Sequence, residues 1–130
     1  MTIAAMSGRA RIALVAPFAV SGILKALDFP GAIAELQALT GLESAGGLAV
    51  LVIATQLLGS ALVIAGGRAL WLGAALLAGF TIVATLLAHA FWTKTGVERG
   101  RDLATFLEHV GLVGGFALAA ILVARSESAR

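Results

Sequence analysis

The 130-residue sequence contains no cysteine and few charged residues. Without a thiol, the chain cannot form a disulfide, a thiolate metal site, a cysteine redox centre or a haem attached through a CxxCH motif. Charged residues make up 12% of the chain, against roughly a quarter in soluble proteins. Basic residues exceed acidic ones by only two, so the net charge does not indicate a nucleic-acid partner.

Hydrophobic residues are abundant instead: they make up 60% of the chain, and its mean hydropathy is +1.03. Such a chain is too apolar to be disordered. A soluble core of this length could not bury so many long apolar runs. We therefore expect one domain over residues 1–130, an all-α transmembrane four-helix antiparallel bundle in the lipid bilayer.

Four apolar segments predict spans at about residues 10–28, 46–66, 69–92 and 103–124. The first run, Ile12 to Leu24, reaches spanning length only if the amine of Lys25 snorkels outward and the helix continues to about Asp28. A cleaved signal peptide is the rival interpretation of this segment. Pro17 is expected to kink the helix or to open its hydrogen-bond ladder.

The connections between the spans differ in length. Pro30-Gly31 should break the first helix, and Ala32–Leu39 predicts a short amphipathic helix, either interfacial or an ordinary surface helix. Gly66-Gly67-Arg68 predicts a tight turn that makes spans two and three an antiparallel hairpin. Residues 93–102 predict a polar loop, with Asp102 as the N-cap of the fourth span.

The third span carries a stripe of small and polar residues on an otherwise apolar helix. At 100° per residue these positions fall within roughly 80° of one another: Ala74, Ala78, Thr81, Thr85, His89 and Trp92. We expect the other spans to pack against this stripe.

Five polar side chains are the candidate site: Lys25, Gln56, His89, Glu108 and His109. Charged groups inside spans usually pair or line a cavity. One interpretation is a Lys25–Glu108 ion pair that sets helix register, and another is a cluster that binds a ligand's polar head, such as a quinone carbonyl, or relays a proton. No metal site is predicted, because Glu108 and His109 diverge by about 100° around their helix. No catalytic residue can be assigned.

Small residues predict where the helices approach closely: Gly59, Gly111, Gly115 and Ala119. The last three form a small-xxx-small series, which is compatible with packing inside the chain or with a dimer seam. Trp71 and Trp92 lie at opposite ends of the third span and are predicted interface anchors.

Basic residues indicate the orientation only weakly. Five lie on the side of the termini and the tight turn (Arg9, Arg11, Arg68, Arg125 and Arg130), and four lie on the other side (Lys25, Lys94, Arg99 and Arg101). By the positive-inside rule we expect both termini in the cytoplasm.

Several short motifs, in order and at the right spacing, resemble the DoxX family of small four-span membrane proteins over about residues 9–124. These motifs are Ser21-Gly22-Ile23-Leu24-Lys25, Thr40-Gly41, Leu57-Leu58-Gly59, Gly66-Gly67-Arg68 and His89-Ala90-Phe91-Trp92. Relatives often carry a glutamate where this chain has Gln56. If that carboxylate handles protons in relatives, this chain lacks that function or uses Glu108.

The resemblance implies a bacterial inner-membrane protein. Relatives are described as subunits of quinone-linked sulfur oxidation or quinol oxidase systems, or as membrane partners of oxidative-stress enzymes. The resemblance leads us to expect an accessory or anchoring subunit of a quinone-linked respiratory-chain oxidoreductase complex, or a homo-oligomer. We expect this subunit to be non-catalytic, with quinone as the candidate cofactor. A stand-alone quinone-reactive oxidoreductase and a small transporter or channel subunit are the alternatives.

Overall fold

A computed structural model describes residues 3–129, and that part of the chain is helical with no strand. Its helices are α1 (Ile3–Leu27), α2 (Phe29–Thr40), α3 (Gly46–Ala65), α4 (Gly67–Ala88) and α5 (Gly96–Ser128), with a short 3₁₀ helix at Phe91–Thr93. Of these, α1, α3, α4 and α5 are long and apolar enough to cross a membrane. The prediction of a four-span all-helical fold is thereby confirmed.

The first helix is broken close to the predicted position. The helix α1 ends at Leu27 and α2 begins at Phe29, so the break falls at Asp28, and Pro30 and Gly31 lie in the first turn of α2. Proline suits this position because backbone N–H groups in the first turn of a helix make no intrahelical hydrogen bond, so the N–H that proline lacks is not needed. The carboxylate of Asp28 caps the helix, accepting a hydrogen bond from the backbone N–H of Gly31 at 3.0 Å. Pro17 lies inside α1, which continues past it to Leu27.

The helix α2 folds back onto the start of α3. Its buried face consists of Ala32 and Leu36, which pack against Ala45 and Ala49. Its C-cap is Gly41, which has a φ of +72°, the left-handed conformation that favours glycine. The predicted short amphipathic helix is therefore present, and it forms part of the bundle wall.

The helices α3 and α4 are joined through Gly66 alone. Gly66 and Gly67 have φ values of +80° and +55°, which residues with a Cβ rarely adopt. The guanidinium of Arg11 also lies where a Cβ of Gly66 would stand. The tight turn is as predicted, and it requires glycine for both backbone and packing reasons.

Two glycines bring α3 and α4 into close contact. A Cβ on Gly73 would lie 2.7 Å from the carbonyl oxygen of Gly59 and 2.8 Å from the backbone nitrogen of Val63. A Cβ on Gly59 would lie 2.8 Å from the side chain of Leu77. The helices therefore touch backbone to backbone, the arrangement that small residues allow in membrane proteins.

The core lies between α1, α3, α4 and α5. It contains seven buried residues: Val15, Phe18, Val63, Leu70, Ala74, Leu77 and Phe116. The rings of Phe18 and Phe116 lie 5.5 Å apart between centroids and connect α1 to α5. The helix α5 packs mainly along α4 and leaves most of its other surface exposed.

The third span extends as far as predicted: α4 ends at Ala88, with His89 as its C-cap, but the apolar segment that is long enough to cross a membrane continues to Thr93. The connection from there to α5 corrects two predictions. The polar segment before the fourth span is not all loop, because α5 begins at Gly96. Asp102 is consequently not an N-cap but lies in the second turn of that helix. At about 1.5 Å per residue, the 33-residue α5 exceeds the roughly 30 Å bilayer core.

Substituting Gly73 with alanine should destabilise the bundle, because the added methyl group meets the backbone of α3 and neither helix can move away cheaply. We expect a loss of roughly 1–3 kcal/mol in the free energy of unfolding. Thermal unfolding in a mild detergent measures it. Gly114→Ala is the matched control, because a Cβ there meets nothing within 4 Å. Equal stability of the two variants would contradict the close contact.

Candidate ligand site

A partly open cavity of about 600 Å³ lies between the helices at the end of the bundle where α1 meets α2 and α4 meets α5. We call this end the connection end. All five helices contribute to the lining. Most of the lining is apolar, from residues such as Phe18, Leu36 and Phe80. Four of the five predicted site residues also line it: Lys25, Gln56, His89 and His109.

Gln56 is a buried polar residue of the lining, near the middle of α3. Its side chain is only 4% exposed. The amide Nε2 donates a hydrogen bond to Ser21 Oγ of α1 at 3.1 Å. The amide oxygen Oε1 is buried and has no hydrogen-bond partner. Since a buried polar atom without a partner is costly, this oxygen marks a position where a ligand's donor would be stabilised.

His109 is held by the threonine stripe of α4. The Thr85 hydroxyl donates to the carbonyl oxygen of Thr81 at 2.5 Å, and Thr85 Oγ1 lies 2.7 Å from Nδ1 of His109. Both threonines are buried, as the predicted stripe requires. The ring of His109 therefore has one nitrogen engaged by the protein and lines the cavity beside α4.

His89 is held by α5 instead. Its Nδ1 lies 3.1 Å from Oδ1 of Asp102, and the other oxygen of Asp102 lies 2.5 Å from Nζ of Lys94. The rings of His89 and His109 meet edge to face, with 5.4 Å between centroids. Two imidazoles and a partly exposed ion pair thus form one network at the connection end.

Lys25 corrects the predicted ion pair. Its ammonium group pairs with Glu35 of α2 at 2.7 Å, not with Glu108. The prediction failed because α2 folds back over the end of α1 and brings a nearer carboxylate. Glu108 lies on the exposed side of α5 and is not part of the cavity lining. It therefore does not belong to the polar cluster inside the bundle.

The small residues predicted to pack have different environments. Gly59 contacts Leu77, Gly115 lies against Leu14, and Ala119 packs on the core. Gly111 is exposed, and a Cβ there would meet nothing within 4 Å, so of its two predicted roles packing inside the chain is wrong and the dimer seam stays a prediction. The side chains of Trp71 and Trp92 are exposed at opposite ends of the bundle, and their role as interface anchors stays a prediction.

Three residues that pair with the site residues were not predicted from the sequence to belong to the site. Asp102 was assigned to a helix cap, Lys94 to a loop, and Glu35 to the polar face of a surface helix. The available signal was the spacing of Lys94 and Asp102 around the end of the third span, which places opposite charges near His89. That signal is weak without knowing that α5 begins at Gly96.

A double-mutant cycle distinguishes the observed ion pair from the predicted one. Lys25→Met and Glu35→Gln should be coupled by roughly 0.2–1 kcal/mol in the free energy of unfolding, because Glu35 is half exposed. Lys25→Met and Glu108→Gln should be additive. Thermal unfolding of the single and double variants measures both couplings, and a coupling found only with Glu108 would contradict the structure.

Comparison with known proteins identifies the family. The DoxX family model matches residues 9–90. The match covers α2, α3 and α4, most of α1 and the His89-Ala90 part of the site, whereas the expected resemblance to about residue 124 is confirmed only as far as residue 90. No curated protein and no solved structure gives a match. Because the matched region exceeds half of the chain, this protein belongs to the DoxX family.

Proposed function

We propose that this protein is an accessory or anchoring subunit of a quinone-linked membrane redox complex, and that its cavity binds a quinone-like ligand. The observation that supports this proposal best is the cavity itself. It has the volume of a small-molecule site, is mostly apolar, and has a few polar groups at defined positions. That composition suits a flat ring with polar substituents.

The polar groups lie on different helices around the cavity. Gln56 projects from α3, whereas His89 and His109 belong to the α4–α5 side. A ring with polar substituents at opposite positions would have hydrogen-bonding partners on both sides. The apolar lining between them would contact the ring faces and a hydrocarbon tail.

A shallow groove beside the cavity offers a route for a lipid-soluble ligand. The groove runs between α1 and α2 and shares four lining residues with the cavity: Pro17, Ser21, Lys25 and Glu35. The Lys25–Glu35 pair therefore lies at the boundary of the two spaces. A hydrophobic ligand could enter here from the bilayer without crossing the polar loops.

The exposed surface of α5 supports a role as a subunit. Large apolar side chains lie along it, including Leu107, Val110, Leu118 and Leu122. Gly111 and Gly114 of the same helix are also exposed and leave space for close approach of another helix. Lipid or a partner's helix would cover this surface in the membrane.

Gentle detergent extraction tests the subunit role. We expect defined partner proteins to co-purify in fixed stoichiometry, because an accessory subunit acts within a complex. Mass spectrometry of the intact assembly measures the stoichiometry. Turnover of a quinone by the isolated chain would instead show a stand-alone oxidoreductase and would overturn the accessory role.

Blocking the cavity tests the ligand. Gly79 lines it, and a Cβ at Gly79 meets nothing within 4 Å, so Gly79→Leu should fill space without disturbing the fold. We expect this variant to bind a short-tailed benzoquinone at least about tenfold more weakly in equilibrium dialysis. Gly114→Leu, exposed and outside the cavity lining, is the control and should bind like wild type. Equal binding by both variants would place the ligand elsewhere.

A further inference from the structure

The hydrogen bonds behind His89 determine which of its nitrogens is free. Asp102 is held in an ion pair by Lys94, so it is a carboxylate and can only accept. Nδ1 of His89, 3.1 Å away, must therefore carry the proton. A neutral ring then has Nε2 as an acceptor.

The tautomer of His109 is also determined by its hydrogen-bond partner. The single hydroxyl proton of Thr85 is donated to the carbonyl oxygen of Thr81. Thr85 Oγ1 can then only accept from Nδ1 of His109, so this nitrogen also carries the proton. The neutral ring again has Nε2 free as an acceptor.

Gln56 contributes a third acceptor. Its Nε2 is occupied by Ser21, and its Oε1 is buried without a partner. The ammonium of Lys25, which lines the same cavity, is paired with Glu35. The unpartnered groups on the site residues are therefore acceptors on different sides of the cavity.

We propose that the cavity selects a head group that donates hydrogen bonds, an aromatic ring diol, over the corresponding dicarbonyl ring. We further assign Asp102 and Thr85 as positioning residues, which impose this preference by fixing the tautomers of His89 and His109. This inference rests on the proposed function, because it concerns the ligand of the same cavity. It adds a direction: the reduced form of a quinone-like couple is bound more tightly than the oxidised form.

Direct binding measurements test the preference. The probes are a short-tailed 1,4-benzoquinone, its hydroquinone under anaerobic conditions, and the dimethyl ether of that hydroquinone, which has the same ring but no donor. We expect the hydroquinone to bind on the order of tenfold more tightly than the quinone, and the dimethyl ether to bind weakest. A tenfold preference corresponds to a rise of about 30 mV in the potential of the bound two-electron couple.

Two pairs of variants test the positioning residues. Asp102→Asn introduces an amide that can donate to Nδ1 of His89, which permits the other tautomer and should reduce the hydroquinone-to-quinone affinity ratio towards one. Glu98→Gln, the same chemical change at an exposed position of α5, should leave the ratio unchanged. Thr85→Val should also lower the ratio, whereas Thr85→Ser retains the hydroxyl and should preserve it.

The possible failures are distinguishable. If quinone and hydroquinone bind equally to the wild-type protein and Gly79→Leu abolishes both, the cavity binds the ligand but the present inference is wrong. If the ratio is high but unchanged in a folded Asp102→Asn or Thr85→Val variant, the assignment of positioning residues is overturned. If none of the three probes binds, the proposed function fails and this inference fails with it.

Discussion

A membrane interior offers no water to polar side chains, and this constraint organises the whole bundle. The hydroxyl groups of Ser60, Thr81 and Thr85 satisfy it locally by donating to the carbonyl four residues earlier in their own helix. Gln56 cannot do so, and it reaches across to Ser21 on another helix. Gln56, Ser60, Thr81 and Thr85 are consequently buried inside the bundle.

The bundle has two different ends because its connections differ in length. At one end a single residue, Gly66, joins α3 to α4, and these helices lie in backbone contact near Gly59 and Gly73. At the connection end, α2 and the segment from His89 to Thr95 separate the spans. The helices diverge there enough to enclose a cavity, and the charged and imidazole groups gather around it.

The polar network at the connection end has a structural role, and in the proposed function it also binds the ligand. The ion pair between Lys94 and Asp102 holds the start of α5 to the segment after α4. The same carboxylate positions His89, and Thr85 positions His109. Both contacts engage Nδ1, so in the proposed function the other nitrogen of each ring would contact the ligand. The family match ends at residue 90, so most of this network lies in the part of the chain beyond the match.

The sequence by itself determined the class of the protein, the four spans and the tight turn, because hydrophobic length and glycine chemistry are local properties. It also predicted that Lys25, Gln56, His89 and His109 lie near one another, since helical spacing and depth follow from residue number, and these four residues line one cavity. Only the tertiary structure decided the partners of these residues. Glu35 replaced Glu108 because α2 folds back, and Asp102 became a buried partner of His89 because α5 begins six residues before it. Such pairings depend on which separate segments meet in space, and a local sequence pattern does not determine that.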